Sequence, residues 1–212
     1  MSTFLYDEAL VRKFRSWTHS SEIQIFGPNE TSRVFETIAD QTGDKPIKLP
    51  LIYIERDRGF NIINDGTTRR PLSYDGKDIN VNYKQGEILN AIPISLSYQV
   101  NVYTRYAKEA DILIRNLIFN IINYPALEIE VPKVKIYNSK TKEYEDFKHT
   151  ARIEFGNTEI QDNSNEKERF IEGNYTKLSF LIMINDAYLW DLREHRNAEI
   201  EIIMEDIVDF NN

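Results

Sequence analysis

Apolar and polar positions change period several times along this chain, and each change marks a new element. Tyr6, Leu10, Phe14 and Trp17 recur at spacings of three and four, so residues 5–17 are predicted to form a short amphipathic helix with one aromatic face. "EIQIF" from Glu22 alternates polar with apolar, the pattern of a half-buried strand, and "GPNE" after it is turn chemistry. A second strand is predicted within "IKLPLIYIER" from Ile47, with Ile52 and Ile54 opposed to Leu51 and Tyr53. Pro50 has no amide hydrogen to give to a ladder, which restricts the start of that strand to an edge or to its first position.

The stretch "IPISLSYQVNVYTRYAKEADILIRNLIFNIINYP" shifts period halfway. From Ile94 to Val102 every second residue is apolar, and Ser95, Ser97, Gln99 and Asn101 stand between them, which predicts a strand with one dry face and one wet, hydrogen-bonding face. After a break at residues 104–108 the period becomes helical and runs to Tyr124. Ala110, Leu113, Ile114, Leu117, Ile118 and Ile121 cover one broad face, enough to dock the helix on a sheet. Ile112 and Phe119 fall on nearly the opposite side, flanked by Asp111 with Arg115 and by Asn116 with Asn120. A helix with a second apolar side is either deep inside a three-layer core or pressed on a neighbouring subunit. The asparagines suit a partly polar protein contact, so Ile112, Arg115, Asn116, Phe119 and Asn120 are the candidate subunit interface.

Residues 56–86 hold two Asp-Gly pairs and a proline and are predicted to form a long irregular excursion. Between Tyr124 and Phe155 the composition turns toward Lys and Glu, and "KVKIYNSKTKEYEDF" predicts a polar hairpin over about residues 133–147, added to the core. "ARIEF" and "KLSFLIMI" predict further strands. The second is apolar on both faces, hence central or covered by an interface. "AEIEIIME" predicts a last strand.

Composition narrows the function. A chain of 212 residues can bury a large core, and one domain spanning residues 1–212 is expected. The net charge of -8 disfavours a dedicated nucleic-acid binder, whose affinity would come from clustered Lys and Arg. With 0 Cys there is neither a thiolate site nor a disulfide, in keeping with assembly in a reducing cytoplasm. The opening "MSTFLYDEALVRKF" lacks the basic start and apolar run of an export signal, and a membrane span is not expected.

Catalytic equipment is thin. His19, His149 and His195 are far apart in sequence, and the Asp191 and His195 pair, at helical i, i+4 spacing, reads as a surface ion pair. No glycine-rich phosphate loop or nucleophile elbow occurs. No catalytic residue, metal ligand or cofactor is therefore expected. Arg69 and Arg70 in "TRRP" are suited to gripping a phosphate or a partner carboxylate, although a solvated loop is the plainer reading.

The order of pieces resembles the tail terminator, or tail sheath stabiliser, proteins of contractile-tailed bacteriophages. It is carried by "FLYDEALVRKF" with "EIQIF", "IKLPLIYIERDRGF", "LSYQVNVYTRY" running into a helix, and "RFIEGNYTKLSFLIMINDAYLW". The matching positions are Leu51 to Tyr53, Thr104 to Tyr106 with Glu109 and Asp111, and an aromatic turn at Tyr188 to Trp190. The chain departs from the family pattern at Arg115, where the family has an acid, and in lacking a helix-ending proline near Phe119.

The resemblance implies an α/β (α+β) fold, a mostly antiparallel sheet packed by helices, assembled as a hexameric ring. Such a ring caps the tail tube, holds the last sheath disc and docks the neck or head connector, and DNA passes through its lumen without specific recognition. Arg69, Arg70, Lys140 and Lys142 would then sit on arms reaching sheath or tube, and the protein would be part of the virion, assembled in the host cytoplasm. A head-to-tail adaptor, a baseplate component, and a cytoplasmic ligand-binding or enzymatic domain are the alternatives.

Overall fold

The computed structural model describes residues 3–18, 23–30, 49–63, 91–138, 143–157, 159–164 and 175–190. In chain order the elements are α1 (Phe4–Thr18), β1 (Gln24–Phe26), a 3-10 turn (Pro28–Glu30), β2 (Leu51–Arg56), β3 (Asn61–Ile62) and β4 (Ala91–Thr104). They continue with α2 (Ala107–Asn123), β5 (Ala126–Asn138), β6 (Glu143–Phe155), β7 (Gln161–Asp162) and β8 (Thr176–Trp190). Among the described residues two helices pack on a curled, mostly antiparallel sheet, the α+β class expected. The predicted strand near residue 200, Arg69, Arg70, Lys140 and Lys142, and His19, Asp191 and His195 lie outside the described residues.

The alternation in β4 builds the centre. β4 pairs antiparallel with β8 from Ala91↔Trp190 to Thr104↔Thr176, and with β2 on its other side from Leu51↔Tyr103 to Arg56↔Tyr98. β1 adds to β2 as the parallel pair, Gln24↔Leu51 to Phe26↔Tyr53. Pro50 comes just before β2, and its carbonyl oxygen accepts from Gln24 N at 3.3 Å, so the proline sits where a missing amide hydrogen costs nothing.

Ile94, Leu96, Tyr98, Val100 and Val102 are all fully buried and share one core with Ile52, Ile54, Phe180, Ile182 and Ile184. Both helices cover this face. α1 brings Tyr6, Leu10, Phe14 and Trp17, the predicted aromatic face, and α2 brings Ala110, Leu113, Ile114, Leu117 and Ile121. Burying a side chain the size of Leu117 or Ile121 contributes about 1.5–3 kcal/mol, so the docked stripe of α2 holds the helix in place.

The other face is drier than the sequence indicates. Ser95 and Asn101, expected to be wet, are buried: Ser95 donates its hydroxyl to Asn185 Oδ1 at 2.8 Å, Ser179 on β8 donates its hydroxyl to Asn101 Oδ1 at 2.7 Å, and Asn163 Nδ2 reaches Ser179 Oγ at 3.3 Å. These polar side chains satisfy one another, and so they tolerate leaving water.

Two irregularities in the ladders change what the sequence indicates. Ile94 pairs with Ala187 and Leu96 with Ile184, so β8 carries one extra residue at Asn185 and Asp186. The bulge shifts the facing by one residue, so that Ala187 follows Ile184 on the buried side, and Tyr188 next to it is buried as well. Residues 188–190, expected as a turn, therefore continue β8 against the start of β4. In the hairpin, Glu130 pairs with Lys148 but Lys135 with Asp146, a bulge that accommodates Pro132. The hairpin expected at 133–147 is the outer part of a longer one. Its inner part is core, with Leu127, Ile129, Ala151 and Ile153 buried, because β6 passes from pairing with β5 to pairing with β8 at Ile153↔Ile184.

Candidate functional site

The outward side of α2 is the feature the fold leaves unexplained. The helix begins after a bend in which Tyr106 is extended and Thr104 Oγ1 donates to Tyr106 O at 3.0 Å. It ends at Tyr124, whose amide donates to Asn120 O at 2.8 Å, and Pro125 prevents continuation. Between these ends the buried stripe faces the sheet, and the opposite side carries large apolar groups. Ile112 is 45% exposed, Phe119 60%, Ile122 62%, Tyr124 62% and Tyr106 67%.

Of the candidate interface residues, Ile112, Phe119, Arg115 and Asn116 are exposed and Asn120 is half-buried. The helix thus brings the predicted set together on its outward side. Asn120 Nδ2 donates to Asn116 O at 2.8 Å and Asn123 Nδ2 to Phe119 O at 2.8 Å, which ties both amide groups to the helix backbone. Tyr106, Ile122 and Tyr124 were not among the sequence candidates. Their signal was available, since Ile122 lies three residues from Phe119 and the two tyrosines flank the helix, but an aromatic at an element end reads equally well as core.

Hollows lie on both flanks of α2. One is a groove of about 540 Å³ lined by Trp17, Ile23, Pro50, Tyr106, Ile112 and Leu113, with Lys108, Glu109 and Asn116 along it. The other, of about 360 Å³, is lined by Asp111, Ile114, Arg115, Ile118, Ile160 and Leu178. Both are mostly apolar, and neither gathers a set of converging ionisable side chains.

Polar clusters do occur elsewhere. Asp7 on α1 is buried, bound by Arg56 Nη1 and by the hydroxyl of Tyr98. Burial pushes its pKa above the ordinary aspartate value, outweighing the Arg56 charge and the hydrogen bonds that act downward. Burial, reinforced by the Asp7 charge, likewise holds the Tyr98 hydroxyl well above its usual range, so it stays a donor. At the bulge, His149 Nε2 donates to Asp186 O at 3.0 Å, and the ring of Tyr188 meets the imidazole edge-on at 5.2 Å. The Asp186 carboxylate accepts from Arg152 N at 2.9 Å, yet burial raises its pKa. Ser95, Asn185 and Glu154 continue the network across three strands.

Each of these groups is engaged in joining elements of the fold, and both clusters lie away from the two hollows. Among the described residues no group of three or more His, Asp or Glu side chains is placed to hold a metal ion. Among them also, no helix is long and apolar enough to cross a membrane. The chain matches no family model and no curated protein.

Proposed function

We propose that this protein is a structural subunit that assembles with copies of itself into a ring, and that the ring is the terminator of a contractile phage tail, closing the tube, holding the last sheath disc and docking the neck. The observation that carries the assembly is the outward side of α2, where Ile112, Phe119 and Ile122 stand open on a helix whose sheet-facing stripe already holds it in place, with exposed Tyr106 and Tyr124 at its two ends. The tail role is supported by the sequence resemblance and by an α+β fold of the kind that resemblance implies. A ring works through shape and surface, so it needs neither a metal nor an ionisable pocket.

The groove beside Ile112 favours a second reading as a ligand-binding module, since it is apolar with a few polar groups along one side. Size-exclusion chromatography with light scattering, followed by electron microscopy of the purified protein and of tail particles, separates the two. Ring-shaped assemblies, free or at the head-proximal end of tails, support the first reading. A stable monomer at high concentration that does not bind tails overturns it.

A further inference from the structure

We draw no further inference here: the strongest candidate, the groove between the end of α1 and the start of α2 lined by Trp17, Pro50, Tyr106 and Ile112, carries nothing, because Lys108 and Glu109 place both signs of charge along it and nothing in the structure shows what covers it.

Discussion

The hydroxyl of Tyr98, in the middle of β4, donates to Oδ1 of Asp7 in the first turns of α1 at 3.0 Å, across 91 residues of chain. Arg56 closes the same carboxylate from β2, its Nη1 lying 3.0 and 2.8 Å from the two oxygens. Three elements that share no local sequence are thereby joined at one buried charge.

Removing one partner leaves that charge under-solvated. Tyr98→Phe is expected to lower stability by about 1.5–3 kcal/mol, the range for a hydrogen bond to a charged group, and Asp7→Ala by at least as much because Arg56 and Tyr98 both lose their acceptor. Urea unfolding followed by circular dichroism measures both. Unchanged midpoints would mean that the cluster does not hold α1.

Stability is expected to fall slightly as pH rises through the titration of Asp7 and Asp186. Both carboxyls have folded pKa values above the ordinary 3.8, so over that window the native state holds more protons than the unfolded chain. The cost of ionising them is present above the raised values and relieved as pH falls through them. Asp186→Asn keeps an oxygen for Arg152 N and is expected to flatten this dependence and hold or raise the midpoint at pH 7. Urea midpoints across a pH series check the sign.

The two sides of α2 are expected to respond oppositely to truncation. Ile121→Ala, on the docked side, is expected to cost about 2–5 kcal/mol, whereas Phe119→Ala is expected to change monomer stability by less than about 0.5 kcal/mol. Equal losses at the two positions would place Phe119 in the core.

Gly156 closes against β8, with its amide donating to Leu181 O at 2.9 Å. A Cβ there would lie 2.6 Å from Leu181 Cδ2 and 2.7 Å from its Cγ, so Gly156→Ala is expected to cost about 1–3 kcal/mol through overpacking. Thermal unfolding reads this out, and a compensating Leu181→Ala in the same chain is expected to relieve the clash.

Much of this architecture is legible in local pattern. The period of two from Ile94 to Val102 identifies a face that is wholly buried, and the spacing of Tyr6, Leu10, Phe14 and Trp17 identifies the docked face of α1. The same reading places Ile112 and Phe119 opposite the sheet, where the structure leaves them open. Asp7, however, reads as an ordinary surface acid, and nothing adjacent in sequence announces Arg56 or Tyr98.

What the sequence determined by itself was the kind and facing of α1, α2, β2, β4 and most of β8, because helical and strand periods depend only on neighbours a few residues away. Only the tertiary structure decided the bulge at Asn185 and Asp186, the core role of Leu127 and Ile129, and the burial of Asn101. Each of those depends on which distant strand lies alongside, and an extra residue or a satisfied polar group exists only relative to that partner.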